Sequence, residues 1–200
     1  MLRLKWFVLG AASLCVVALI AGLVVISQSH GFSARAQPTG IERRIARLAR
    51  GAAMPADAKA RSNPVANSAE AIADGRAHWA DHCATCHAND GSGNTEIGKH
   101  LYPPAPDMRL ADTQQLTDGE LFYIIENGIR LSGMPAWGGE ADHGQEDSWK
   151  LVRFIRHLPN LSPSEIKEME ALNPKTAEDL EEERFLKGEP PKPSTHKHQH

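Results

Sequence analysis

The longest apolar segment of the chain lies near its N-terminus. From Trp6 to Ile26 there are 21 residues without a charged side chain. At a helical rise of about 1.5 Å per residue, such a segment spans roughly 30 Å, the thickness of a bilayer's hydrocarbon core. Arg3 and Lys5 precede it, as expected for an end retained in the cytoplasm. The pattern predicts a transmembrane anchor over residues 1–30.

A cleaved signal peptide is the alternative for this segment. Ala34-Arg35-Ala36 resembles a small-x-small cleavage site. Cleavable apolar regions usually run for only about 7–15 residues, however, so the length favours an uncleaved anchor. Cys15 follows Leu14, where a lipoprotein acceptor would follow Gly or Ala, and we expect it to pack as a small apolar residue.

Residues 31–67 form a basic linker rich in Ala and Pro. Within it, the stretch GIERRIARLARG places Ile41, Ile45 and Leu48 on one helical face, with arginines around them. This helix could lie on anionic lipid headgroups or serve as a solvated spacer, and the sequence leaves both open. The remainder, up to Asn67, has the composition of a tether.

Three helical patterns follow in residues 68–160. The first begins at Asn67, with Glu70 three positions later, and extends to about His82. Gly75, Trp79 and Cys83 share one face of it, so we expect that face to be buried.

The second and third patterns have clear boundaries. Thr117 with Glu120 forms a capping box, and Gly128 ends that helix. The third, EDSWKLVRFIRHL, stops at Pro159 and carries one apolar stripe: Trp149, Val152, Ile155 and Leu158. No alternating strand pattern is present, so the fold class predicted for residues 68–160 is all-α, with three main helices.

Residues 161–200 read as an acidic helical extension and a flexible tail. Ser162-Pro163 with Glu165 predicts a short helix to about Leu172, and EDLEEERFLKG predicts another. The last twelve residues are too rich in proline and polar groups to pack. The tail carries three alternating histidines, His196, His198 and His200. They are a candidate site for a divalent metal such as Cu²⁺, Ni²⁺ or Zn²⁺, and the alternative is that they are solvated and bind nothing.

Charge is distributed unevenly along the chain. Residues 1–67 carry nine Lys/Arg against two Asp/Glu, residues 68–160 seven against fourteen, and residues 161–200 six against nine. A basic stalk thus leads into an acidic domain, and no overall basic footprint points to nucleic acid. With aromatic residues at 6% and thirteen prolines, much of the 200-residue chain is unlike a packed core.

The sequence CATCH, residues 83–87, carries the strongest chemical signal. A thioredoxin-like pair would not need His87, and a zinc ribbon would need a second cysteine pair. Covalent haem attachment uses all three side chains, with thioether bonds from Cys83 and Cys86 and His87 below the iron. The motif therefore predicts one covalently bound haem c.

A haem iron held by His87 still needs a sixth ligand. Met134 lies between Gly133 and Pro135, which restrict the backbone and suit a loop that holds a side chain over a metal. A Met/His pair favours reduced iron and raises the potential. Met108 is the next candidate, and bis-histidine ligation through His100 or His143 remains possible.

The segments CATCH, YPPAPDM, NGIRLSGMPAW and SWKLVRFIRHL together resemble a class I monohaem c-type cytochrome, similar to the bacterial oxidase and dehydrogenase cytochrome c subunits. The resemblance covers residues 68–160. It implies that His87 and Met134 are the axial ligands and that a carbonyl of the proline loop accepts the His87 Nδ1 proton. It also implies haem packing by a further set: Pro103, Pro104, Trp79 and Trp137.

The function implied by this resemblance is electron transfer rather than enzymatic catalysis. The haem domain is expected in the periplasm or outside, because such haem attachment occurs beyond the bacterial cytoplasmic membrane. Its acidic charge predicts redox protein partners with a basic docking surface. Two alternatives remain: a haem-carrying subunit of a larger oxidoreductase, or a haem c enzyme or sensor whose sixth position opens.

Overall fold

The computed structural model describes residues 2–139, 144–175 and 177–188. Within these ranges the chain forms helices and no strand, which confirms the all-α prediction. The α-helices are α1 Leu2–Gln28, α2 Gly40–Ala53, α3 Ala56–Ala60, α4 Ala69–His78, α5 Ala84–His87, α6 Glu96–Lys99, α7 Ala111–Gln114, α8 Asp118–Asn127, α9 Gln145–His157, α10 Pro163–Glu170 and α11 Ala177–Leu186. Single 3₁₀ turns occupy His30–Phe32 and Leu158–Asn160, and a π-helical turn occupies Trp79–Cys83.

Helix α1 contains the whole apolar run and extends past it at both ends. Within Arg3–Gln28, the most apolar 18-residue window has a mean hydropathy of 2.7, and none of that window is buried against the rest of the chain. A helix of this length and composition can cross a bilayer, although a signal sequence meets the same criterion. The protein therefore has one N-terminal helix of membrane-crossing length, and its retention as an anchor stays a prediction.

The crossing of α4 and α9 forms the centre of the fold. A Cβ atom added to Gly75 would overlap the carbonyl of Lys150, so this close approach requires glycine. Trp79 and Phe154 pack beside the crossing, with ring centroids 5.6 Å apart. The apolar stripe predicted for α9 is buried along its length: Trp149, Val152, Ile155 and Leu158.

Helix α8 matches its sequence signals at both ends. The Thr117 hydroxyl accepts from the Glu120 N–H, and the Glu120 carboxylate accepts from the Thr117 N–H, completing the predicted capping box. The helix ends at Gly128, whose φ of 64° favours glycine. On the buried face, Phe122 stacks on Trp149 with ring centroids 4.0 Å apart.

The first predicted helix differs from expectation at its start. Its N-cap is Ser68, whose hydroxyl accepts a hydrogen bond of 3.1 Å from the Ala71 N–H, so the prediction of an Asn67 cap with Glu70 was wrong. Both residue types are good N-caps, and the sequence pattern alone could not choose between adjacent candidates.

The same helix also changes its winding before the motif. After His78 the backbone forms the π-helical turn Trp79–Cys83, where the Ala84 N–H bonds the Trp79 carbonyl. The expected α-helix to His82 is therefore wrong over its last turn. Single π-helical turns inserted in helices often occur at functional sites, and this one changes the direction of the side chains that follow.

The end of the linker is packed, which corrects the expectation of a tether up to Asn67. The Arg153 guanidinium donates to the Val65 carbonyl at 2.9 Å, and the Asn63 amide donates to the Trp149 carbonyl at 2.9 Å. Because these side chains satisfy the linker's backbone and polar groups, residues 63–65 lie against α9 rather than in solvent.

The C-terminal extension begins with a helix that also belongs to the packed molecule. Ser162 and Glu165 form the predicted capping box, with Pro163 in the first turn. Met169 is fully buried in the core, and the helix ends at Glu170, two residues before the expected end. The second expected helix is α11. The candidate metal-binding histidines of the tail, His196, His198 and His200, lie outside the described residues. His143 lies outside them as well.

Candidate haem-binding site

The two motif cysteines lie on two successive, differently wound turns. Cys83 ends the π-helical turn, and Cys86 lies in α5. Burial, assisted by the neighbouring Cys86, raises the pKa of Cys83 to about 12, and burial also raises the pKa of Cys86. Both thiols are free and protonated at neutral pH, whereas a redox-active cysteine pair needs a lowered thiol pKa. The arrangement argues against a thioredoxin-like centre.

His87 lies against the indole of Trp79, with ring centroids 5.6 Å apart. Trp79 is 1% exposed, and its Nε1–H donates to the Ala88 carbonyl at 2.9 Å, which fixes the indole below the motif. Burial lowers the pKa of His87 to about 4. The imidazole is therefore neutral at pH 7, the state in which it can ligate a metal.

The Nδ1 atom of His87 is buried without a hydrogen-bond partner in the described part of the chain. The resemblance implied that a proline-loop carbonyl would accept its proton, and the structure does not contain that bond. A buried polar atom left unpaired costs on the order of 1–3 kcal/mol. Such atoms are rare in folded proteins and are often found at functional sites.

The proline loop is instead held by the glycine-rich segment that follows His87. The Ala105 N–H donates to the Gly98 carbonyl at 2.9 Å, and the Met108 N–H donates to the Gly91 carbonyl at 2.8 Å. On its other side this segment contacts the motif, because the Gly93 N–H donates to the His87 carbonyl at 2.9 Å. These bonds link the loop that follows Pro103 and Pro104 to the motif backbone through the glycine-rich segment, and the Tyr102–Pro103 peptide is cis.

Met134 is half-buried in a loop that folds back on the end of α8. The Ile129 N–H donates to the Met134 carbonyl at 3.1 Å, and the Met134 N–H donates to the Ser132 hydroxyl at 3.2 Å. The Trp137 N–H then bonds the Ile125 carbonyl at 3.0 Å. These bonds fix the backbone on both sides of the thioether.

The loop carrying Met134 also touches the proline loop. A Cβ atom added to Gly133 would lie 2.6 Å from a methyl carbon of Leu101, so the two loops are in contact. Met108 differs from Met134 because it packs against the hydrophobic core and its carbonyl accepts from Gln114 at 2.7 Å. The exposed His100 bonds the Glu96 carbonyl at 2.7 Å, as a surface histidine does.

Two histidines that the sequence interpretation did not use lie beside Cys83. His78 and His82 have ring centroids 5.8 Å apart, and His82 lies 5.5 Å from the ring of Trp137. The His78 Nε2 atom is 3.8 Å from a carboxylate oxygen of Asp147. These side chains line a small cavity with Cys83. The sequence signal that could have identified them is their spacing of four residues on a predicted helix, directly before the motif.

The residues present fit a covalently bound haem. Two neighbouring thiols, Cys83 and Cys86, are available for thioether bonds, and the half-buried, neutral imidazole of His87 follows them. A zinc centre fits less well, because within the described ranges no three His, Cys, Asp or Glu side chains are grouped to hold a metal ion.

Comparison with known proteins agrees with this chemistry. Residues 70–155 match the family model described as cytochrome c oxidase, cbb3-type, subunit III. No curated protein matches the chain. The matched segment contains the motif, both loops and the crossing of α4 with α9, and it covers a little under half of the sequence. The chain therefore carries a cytochrome c domain similar to that family, preceded by one long apolar helix, and the Cys-x-x-Cys-His motif of that domain implies covalently bound haem c.

Proposed function

We propose that this protein is a membrane-anchored monohaem cytochrome c that passes single electrons between redox proteins on the outer side of the bacterial cytoplasmic membrane. A cytochrome c domain implies electron transfer. Helix α1 supports the anchor, since its length and hydropathy suit a single membrane crossing. In this role the protein makes and breaks no substrate bonds and is not an enzyme.

We assign the haem-holding roles to the motif and to the loop after α8. Cys83 and Cys86 would form the thioether bonds, and His87 and Met134 would be the axial ligands. When bound, the haem supplies reversible one-electron chemistry. The chain's own contribution is to keep His87 neutral, to exclude water and to hold the side chain of Met134 in place. Further side chains would pack around the group: Trp79, Trp137, Pro103 and Pro104.

The observation that carries the proposal is the hydrogen-bonded backbone around Met134. A Met134 side chain on a backbone held on both sides would stay bound to the iron of a haem, which would suit electron transfer and leave no place for a substrate. An enzyme or sensor would instead need that position to open. Met134 and Met108 are both half-buried, and Met108 differs because it packs against the hydrophobic core.

Matched methionine variants test this assignment. We expect Met134→Leu to retain covalent haem, to lose the weak long-wavelength band of thioether-ligated ferric haem, and to lower the reduction potential by on the order of 0.1 V. Met108→Leu should leave both properties unchanged. The assignment is wrong if Met108→Leu produces the change, or if Met134→Leu retains the wild-type spectrum and potential.

A second role is favoured by the matched family, whose description is that of an oxidase subunit. In that case the domain would be the electron-entry subunit of a larger oxidoreductase and not a separate carrier. The native mass of the protein extracted from membranes in mild detergent distinguishes the two. A stable assembly with further polypeptides supports the subunit role, and a lone 21.8 kDa chain with haem supports the carrier.

A further inference from the structure

Helix α2 carries an apolar stripe that no other described part of the chain covers. Ile41, Ile45 and Leu48 are 71%, 61% and 73% exposed. Their spacing of four and three residues puts them on one face of the helix. Scattered apolar side chains on a surface are ordinary, but a continuous stripe along one helix face indicates an interaction surface.

The other side of α2 is already occupied by the cytochrome c domain. The Tyr102 hydroxyl donates to the Glu42 carboxylate at 3.0 Å, and Arg47 forms an ion pair of 2.5 Å with Asp112. The capping box of Thr39 and Glu42 fixes where the helix begins. Since one side of α2 is held by these contacts, the apolar stripe points away from the domain.

The chain itself limits what can reach this stripe. Eleven residues, 29–39, join α1 to α2, and a chain of that length reaches at most about 40 Å when fully extended. If α1 crosses the membrane, α2 therefore cannot move far from the bilayer surface. The charge of α2 suits such a surface, because Arg44 is exposed and lies next to the stripe, whereas Arg47 is already paired with Asp112 on the domain side.

We propose that α2 lies on an anionic lipid surface, with Ile41, Ile45 and Leu48 inserted between the headgroups and the neighbouring Arg44 at headgroup level. The cytochrome c domain then sits on the outer side of the helix, held by the Tyr102 and Asp112 contacts. This goes beyond the proposed electron transfer, because it gives the haem domain one orientation relative to the membrane.

The orientation matters because α2 is attached next to the haem-binding loops. Tyr102 adjoins Leu101, and Leu101 touches Gly133 in the loop that carries Met134. A helix lying on the bilayer would therefore hold these two loops at a constant distance from the lipid surface. A free tether of the same length would allow them to face any direction.

Hydrogen–deuterium exchange tests the proposal on the full-length, haem-loaded protein. The protein is placed in nanodiscs holding one copy each, made of phosphatidylcholine alone or of phosphatidylcholine with phosphatidylglycerol. We expect peptides within residues 40–53 to exchange about tenfold more slowly in the anionic discs. Ile45→Asp should abolish this slowing, while Leu172→Asp, at an apolar residue 47% exposed elsewhere, should retain it.

Three results would overturn the proposal. Equal exchange in the two lipids would show that α2 does not use an anionic surface. Slowing that survives Ile45→Asp would show that the arginines act without the stripe. Slowing that appears only in discs loaded with two copies would assign the stripe to a second copy of this chain. The haem spectrum of the same samples reports separately on the proposed electron-transfer site.

Discussion

At the residue scale, a carboxylate with a strongly lowered pKa, Glu165, links the C-terminal extension to the domain. Glu165 accepts hydrogen bonds from the Ser162 N–H at 2.9 Å and from His157 at 2.9 Å, and it pairs with Arg76 at 3.3 Å. Burial alone would raise the pKa of Glu165, but the Ser162 and His157 hydrogen bonds outweigh it and lower the pKa from 4.5 to about 2.

This shift predicts a specific loss of stability in acid. Because the folded-state pKa of Glu165 lies below its unfolded value, its contribution is complete above pH 4.5 and is lost as the pH falls towards 2. We expect Glu165→Gln to be less stable than wild type at neutral pH and to lose less stability between pH 4.5 and 2. Denaturant unfolding at a series of pH values measures both effects.

The substitution is chosen to separate charge from capping. Glutamine can still complete the capping box with Ser162, so α10 should keep its N-terminus. The same change at Glu170, an exposed carboxylate of the same helix, is the control. If the two variants have the same pH profile, the contacts of Glu165 do not contribute to acid stability as argued.

At this scale the sequence identifies side chains better than their surroundings. The spacing of Cys83, Cys86 and His87 is local and could be read directly from the chain. The sequence could not predict that the His87 Nδ1 atom lacks a hydrogen-bond partner, because this depends on how the proline loop, which begins at Pro103, packs. The contact between His82 and Trp137 joins residues 55 positions apart, and no periodic pattern in the sequence predicts it.

At the element scale, the packing of α4 on α9 depends on one glycine. A Cβ atom at Gly75 would overlap the Lys150 carbonyl, and backbone cannot move as a flexible side chain can. We expect Gly75→Ala to reduce the free energy of unfolding by about 1–3 kcal/mol, because the two helices must separate. Unfolding of the ferric haem protein in guanidinium chloride provides the measurement.

Gly51 in α2 is the matched control for this substitution. An added Cβ there has no atom within 4 Å. Gly51→Ala should therefore be neutral or stabilising by up to about 1 kcal/mol, in keeping with the helix propensity of alanine. Equal effects of the two substitutions would mean that the crossing can relax and that close approach at Gly75 is not required.

The longer helices were predictable, whereas the short helices α3, α6 and α7, some boundaries and the linker contacts were not. The two capping boxes, at Thr117 and Ser162, and the stripe on α9 are short-range patterns and were confirmed. The π-helical turn Trp79–Cys83 was missed because only the four-residue helix α5 follows it, which is too short for a shift in the apolar periodicity to show. The linker contacts were missed because they use Arg153, a residue of a distant helix.

At the scale of the whole molecule, charge separates into a basic stalk and an acidic domain. Part of the opposite charge of these two regions is neutralised within the chain, because Arg47 of α2 pairs with Asp112 of α7. Residues 68–160 still carry fourteen acidic against seven basic side chains. The excess supports the proposed preference for redox partners with a basic docking surface, since complementary charge increases association rates.

This charge predicts how electron transfer should respond to salt. We expect oxidation by a cationic reagent such as tris(1,10-phenanthroline)cobalt(III) to slow as ionic strength rises from about 10 to 150 mM, where the screening length falls from roughly 30 to 8 Å. Oxidation by the anionic ferricyanide ion should accelerate over the same range, because salt screens its repulsion. Stopped-flow absorbance of the haem measures both rates. If neither rate changes, or if both change in the same direction, the acidic side chains lie too far from the electron-exit surface to guide a partner, and their excess serves solubility alone.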